Sequence, residues 1–202
     1  MTQRVLFERA PEAPPGLILE PDFLTIAEEN ELIEAIRKLD FSEVRMHGVV
    51  AKRRVAHFGL RYAFTSHHLS PASEIPHEFN LIRARAANSA HVEPQSFFEV
   101  LVTEYPPGAG IGWHHDAPPF GIIAGVSLAA HCTMRFRKGP VGHREISAVE
   151  LARRSLYVLA GSARAEWQHS ISPIGELRYS ITFRTLKQTS QAEPLARNTS
   201  CQ

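Results

Sequence analysis

Residues 177–184 read LRYSITFR, and their alternation decides the fold class. Arg178, Ser180, Thr182 and Arg184 fall on one face of an extended chain, and Tyr179, Ile181 and Phe183 on the other. A period of two over that length predicts a β-strand. Working outward, similar short runs recur through the second half, each bounded by turn residues. They are FFEVLVTEY (97–105) before PPGAG, IIAGVSL (122–128), TMRFR (133–137) before KGPVG, and SLYVLAG (155–161). Many short strands with Gly/Pro turns predict a sandwich or barrel.

The first half has a different character. Residues 1–16 contain Pro11, Pro14 and Pro15 without periodicity and read as an irregular arm. Leu17–Leu19 suits a short strand. Thr25 and Glu28 have capping-box spacing ahead of Leu32, Ile36 and Leu39, which predicts a covering helix. Arg45–Phe64 mixes basic and aromatic residues and is expected to be part strand. A second helix is expected over Pro76–Ala90, with Phe79, Ile82 and Ala86 at helical spacing. Residues 188–202 are polar and aperiodic, the composition of a disordered tail. The expected organisation is one domain over 17–187, with helices and a cover in 17–96 and the β-rich unit in 97–187. The class is α+β, mainly β.

Composition narrows the function classes. The 202 residues carry 22 Lys+Arg against 21 Asp+Glu, so nucleic-acid binding would need a local basic patch rather than global charge. The 2 cysteines, Cys132 and Cys201, give neither a disulfide framework nor a zinc motif, and Cys201 reads as a free thiol. No run approaches the roughly 18 apolar residues of a membrane span, and no signal peptide is visible. The expectation is a soluble, cytoplasmic monomer. His131 and Cys132 read as packed strand residues.

The richest chemistry lies in GWHHDAPPFG, residues 112–121. Alternation along a strand puts His114 and Asp116 on one face and His115 on the other. A third histidine, His169, follows in AEWQHSI. Two histidines and a carboxylate form the facial triad of non-haem iron oxygenases, which leaves positions open for a bidentate cosubstrate and O₂. Chance is the competing explanation, because the chain holds 11 histidines and short motifs often match spuriously.

The arginine strand favours the metal reading. An exposed strand face could carry both arginines, but in a barrel that face could look inward at an anion. Six residues at about 3.3 Å span about 20 Å, and two arms of roughly 6–7 Å leave a gap near the length of a five-carbon diacid. The planar guanidinium binds carboxylates bidentately and stays charged.

Taken together, EVLVTEY with Tyr105, the Pro-Gly turn, His114 and Asp116, WQHSI with His169, and RYSITFR resemble the AlkB family of Fe(II)/2-oxoglutarate oxygenases over about residues 97–187. HFGLRYAF, with Phe58 and Tyr62, is similar to a segment that helps cover the substrate pocket in several branches. The resemblance implies a double-stranded β-helix, a jelly roll of two sheets with N-terminal helices packed on one of them and a substrate lid. It implies Fe(II) held by His114, Asp116 and His169, with 2-oxoglutarate and O₂ as cosubstrates. Arg178 would pair with the distal carboxylate of 2-oxoglutarate, Arg184 would face the carboxylate near the metal, and Tyr105 would donate a hydrogen bond. Thr103 and Ser180 stand where the family has asparagines, and both retain hydrogen-bonding capacity. Pro118 stands where the best-known DNA-repair members have a second acidic residue, so their base preference does not carry over directly.

The implied reaction is oxidative dealkylation of nucleic-acid bases, on single-stranded DNA or RNA, releasing succinate, CO₂ and formaldehyde. Phe58, Tyr62, Trp113 and His115 are candidate substrate contacts, against ordinary core or surface roles; Trp167 reads as core or pocket wall. Arg135 and Arg137 suit either a pocket mouth or an exposed face. Arg45, Lys52, Arg53, Arg54 and Arg61 could contact phosphates, though Lys52 and Arg53 suit a solvated strand as well. The alternatives are a hydroxylase or demethylase of a protein or small molecule, and a non-catalytic cupin-like metal-binding protein.

Overall fold

A computed structural model describes residues 13–46 and 48–187. The arm through Glu12, His47, and the tail from Gln188 with Cys201 lie outside the described residues.

Among the described residues, twelve strands build two antiparallel sheets. In chain order they are β1 (Leu17–Glu20), β2 (Ser42–Met46), β3 (Val49–Ala63), β4 (His68–Pro71), β5 (Phe97–Tyr105), β6 (Ile111–His114), β7 (Phe120–Leu128), β8 (Cys132–Lys138), β9 (Glu145–Leu151), β10 (Leu156–Leu159), β11 (Gln168–Ile171) and β12 (Arg178–Leu186). The major sheet runs β1-β10-β7-β12-β5-β3-β2, with β4 paired to β3. The minor sheet runs β6-β11-β8-β9. This is the jelly-roll arrangement expected from the sequence.

Alternation along each strand sorts side chains into two cores. The odd residues Ile123 on β7 and Tyr157 and Leu159 on β10 look between the sheets, as do Tyr105, Met134, Phe136, Leu151 and Ile171. Val100, Val102, Ala124, Val126, Val158, Tyr179, Ile181 and Phe183 face the opposite way and pack under the helices. LRYSITFR therefore has its apolar face on the helices and its polar face inside the barrel.

Helix α1 (Ile26–Ile36) carries the expected capping box, with Thr25 and Glu28 each satisfying the other's backbone N–H. Its Glu29 is fully buried, accepts from Ala129 N at 2.8 Å and pairs with Arg153 Nε at 2.6 Å. Those bonds fix the helix to the β7–β8 and β9–β10 turns. Helix α2 (Asn80–Ser89) follows a short 3₁₀ turn, and Phe79, Ile82 and Ala86 are all buried, as their spacing predicts. The short helix α3 (Gly161–Ala165) precedes β11.

Elements that escaped the sequence reading include β4, β9, β11 and α3, while β6 was read only as the strand that would carry His114. His131, expected in a strand, is exposed just ahead of β8, while Cys132 is buried with a free thiol. The end of the N-terminal arm is tied down, with Ala163 N donating to Pro15 O at 2.8 Å.

Candidate functional site

Edge strand β6 delivers His114 opposite His169 on β11, which in turn pairs with Phe136 on β8. The two imidazole rings lie 4.3 Å apart between centroids. Asp116 follows the end of β6, and its Oδ2 lies 3.5 Å from His169 Nε2. Both of those side chains are at most 9% exposed. The three side chains that the sequence picks out are therefore brought together.

The protonation states suit metal ligation. His114 Nδ1 lies 2.9 Å from Gly112 O. A carbonyl only accepts, so Nδ1 carries the proton and Nε2 keeps its lone pair. Burial pushes the His114 pKa down, and pushes that of His169 down to about 4. Both are neutral at pH 7. For Asp116, burial works toward the neutral acid, but Arg184, His169 and His114 outweigh it and hold the carboxyl well below its usual range.

Arg184 is already engaged. Its Nη2 donates to Asp116 Oδ1 and its Nη1 to Glu99 Oε2, both at 2.9 Å. Burial works against the Arg184 charge, but Glu99 and Asp116 outweigh it and raise the pKa. Glu99 also accepts from His57 Nδ1 at 2.9 Å and is 1% exposed. Only Nε of Arg184 is buried without a partner. The sequence reading missed Glu99 and His57. The signal was present, since an acidic residue on the inward face of β5 needs a cation, and register places Glu99 opposite Arg184.

Arg178 differs. It is fully buried, its Nε donates to Ser127 Oγ at 3.1 Å, and its guanidinium lies 5.1 Å from the Tyr105 ring centroid. Both terminal nitrogens lack a partner. An unpaired buried guanidinium fork is costly unless an acceptor arrives. Two parallel N–H donors are what a carboxylate accepts bidentately. Thr103 and Ser180 lie opposite each other on β5 and β12, on the inward face between the arginines. Arg164, from α3, donates to Ala117 O and Phe120 O and clamps the segment after Asp116.

Among the described residues, no three His, Cys, Asp or Glu side chains enclose a metal position as they stand. The donor chemistry nevertheless fits: two neutral imidazoles and one ionised carboxylate converge, with Asp116 Oδ2 turned away from Arg184. The orphaned Arg178 fork fits a dicarboxylate.

Of the candidate substrate contacts, Tyr62 faces the barrel-side core and hydrogen-bonds His67 Nδ1 at 3.0 Å. Phe58, expected to cover the pocket, instead packs in the helix-side core edge-on to Phe79, with centroids 6.2 Å apart. Residue 58 has the parity of Ala56 on β3, which faces the helices. Trp113 stacks under Arg137 and Arg135, at 4.5 and 5.3 Å, on the outer face of the minor sheet. His115, just past the end of β6, is exposed. Trp113, Arg135 and Arg137 thus stack together on the face opposite to the one that carries His114 and His169. Trp167 is core. Within the basic segment, Arg45 pairs with Glu43 and Arg54 with Glu104. Arg53 faces inward, where burial lowers its pKa against a raising effect of Tyr105, and its own charge helps lower the pKa of His114.

The family model described as the 2OG-Fe(II) oxygenase superfamily matches residues 16–184. The "Alkylated DNA repair protein ALKBH8 homolog" of Arabidopsis thaliana is 29% identical over 93% of this chain. The "tRNA (carboxymethyluridine(34)-5-O)-methyltransferase alkbh8" of Xenopus tropicalis is 29% identical over 81%. The chain spans 60% of the first relative and 26% of the second. The solved structure of OsALKBH1 superposes with a TM-score of 0.71 at 19% identity, covering 86% of this chain and 98% of that one. That structural likeness is one of fold.

Proposed function

Because the chain belongs to the 2OG-Fe(II) oxygenase superfamily, we propose that this AlkB-like dioxygenase dealkylates bases in single-stranded nucleic acid. In this reading His114, Asp116 and His169 hold the metal, and Arg178, Tyr105, Ser180, Thr103 and Arg184 surround 2-oxoglutarate. The observation that carries it is the buried Arg178 fork, which has no partner of its own and shares the barrel with the two histidines and Asp116.

Fe(II), 2-oxoglutarate and O₂ are the family's cosubstrate set, and together they supply an oxidative decarboxylation that hydroxylates a nearby C–H bond. The chain's own residues prepare that chemistry. Arg178 offers both terminal nitrogens to the distal carboxylate while Ser127 braces its Nε. Arg184 holds Asp116 by one oxygen and so aims the other at the metal side. Gly112 O fixes the tautomer and ring orientation of His114. Phe136, Trp167 and Ile171 keep water from the barrel.

Two features support nucleic acid as substrate: the Arabidopsis and Xenopus relatives are named for alkylated-DNA repair and for tRNA modification, and the β3–β4 hairpin offers an aromatic tip. Beyond Tyr62 that hairpin exposes Phe64, 56% accessible, whose ring meets Tyr62 edge-on at 5.1 Å. An exposed aromatic tip of this kind suits stacking on an unpaired base. The test is succinate release by iron-loaded protein with N-methylated single-stranded DNA, methylated RNA, or neither. Stimulation by one oligonucleotide identifies the polymer; turnover indifferent to both returns the choice to a protein or small-molecule substrate.

A further inference from the structure

Tyr157 stands in the middle of β10 and turns inward with Leu159. Its partner on β7 is Gly125, and the partner of Gly125 on β12 is Thr182. Thr182 lies on the inward face of β12, between Arg178 and Arg184. A Cβ on Gly125 would come within 2.2 Å of Tyr157 Cζ and 2.4 Å of its hydroxyl oxygen. The ring therefore lies directly over the glycine. Gly125 is not among the positive-φ glycines, so the backbone does not require glycine there; the tyrosine ring does.

The surroundings of the hydroxyl are those of the proposed cosubstrate. Tyr157 is 7% exposed. Burial raises its pKa, and the charges acting on it are Asp116, Tyr105, Arg178 and Arg184. The phenol keeps its proton and is a donor under the influence of the Arg178 and Arg184 charges.

We propose that Tyr157 is a specificity-determining residue of the cosubstrate pocket. Its ring closes the space between the two arginines at the length of a five-carbon diacid, and its hydroxyl donates a hydrogen bond to the bound dicarboxylate. This rests on the reading of Arg178 as the carboxylate anchor. The ring sets the length because it occupies the space that any side chain at position 125 would fill. A longer diacid would have to displace it.

The test is calorimetric binding of 2-oxoglutarate and of the six-carbon 2-oxoadipate to the Mn(II)-loaded full chain, together with KM and kcat in succinate release. Tyr157→Phe removes only the hydroxyl, and is expected to weaken 2-oxoglutarate binding about tenfold, equal to about 1.4 kcal/mol, and to raise its KM in step. Tyr157→Leu opens the pocket, and is expected to shift the preference toward 2-oxoadipate at least tenfold. If both folded variants bind the two diacids as the parent does, Tyr157 is core packing alone and the inference falls. Should Tyr157→Leu not fold, Tyr157→Phe decides alone. Failure of the parent protein to bind 2-oxoglutarate at all would instead overturn the functional reading on which this inference stands.

Discussion

Arg184 donates to Asp116 at 2.9 Å with one terminal nitrogen while the other is held by Glu99 at the same distance. The arginine is therefore the brace of a carboxylate before it is a ligand for anything else. Arg178, with two unpaired terminal nitrogens, is the arginine left to bind an anion. Two arginines on one strand face, alike in sequence, are given different work by their partners.

Glu99 tests the brace. In Glu99→Ala the buried Arg184 loses half of its compensation, and unfolding stability should drop by about 3–5 kcal/mol. Glu99→Gln keeps the shape and should lose less. Both variants should weaken metal binding by about 10- to 100-fold through misaimed Asp116. Denaturant titration and metal competition with a chromogenic chelator measure the two effects.

Arg178 should behave in the opposite sense. Without cosubstrate its terminal nitrogens are buried and unpaired, so Arg178→Met should leave the ligand-free protein as stable as the parent or more so. The same change should weaken 2-oxoglutarate binding by at least about 100-fold, since two charge-assisted hydrogen bonds are lost. Thermal melting with and without 2-oxoglutarate separates these outcomes.

Acid should destabilise the metal-free fold through His169. Its folded pKa of about 4 lies below the ordinary imidazole value, so the unfolded chain binds the proton more readily. Stability is at its full value above about pH 6.5 and is lost as pH falls from there toward 4. His169→Gln should flatten that slope in urea titrations over the same range. Because the folded imidazole stays neutral, metal uptake should persist to about pH 5.

Phe58→Ala distinguishes core from pocket. Buried against Phe79, the ring should cost about 3–5 kcal/mol on truncation. KM for any nucleic-acid substrate should stay within about twofold, because the ring does not line the site. A large KM effect with unchanged stability would return Phe58 to the substrate cover.

What the sequence disclosed follows from how each signal is encoded. The alternation in LRYSITFR predicted the strand and sorted its polar and apolar faces, and the structure turns the polar face inward; the capping box marked the start of α1. His114 and Asp116 were legible because strand parity separates them from His115. Strand β9, EISAVEL, escaped because its alternation is short and lacks aromatic residues. Phe58 was misplaced because a resemblance gives position along the chain but not which face a residue takes. Glu99, His57 and Tyr157 act through neighbours far along the chain. Their roles appear only once register sets β5 against β12 and β10 against β7.

The central claim is that His114, Asp116 and His169 hold iron with 2-oxoglutarate bound beside it. The most direct measurement is the visible charge-transfer absorption that develops when Fe(II) and 2-oxoglutarate are added without oxygen. The absorption should appear in the parent protein and in His115→Ala, and be absent from folded His114→Ala, Asp116→Ala and His169→Ala. Its survival in the Asp116 or His169 variant, or its loss in His115→Ala alone, would contradict the assignment.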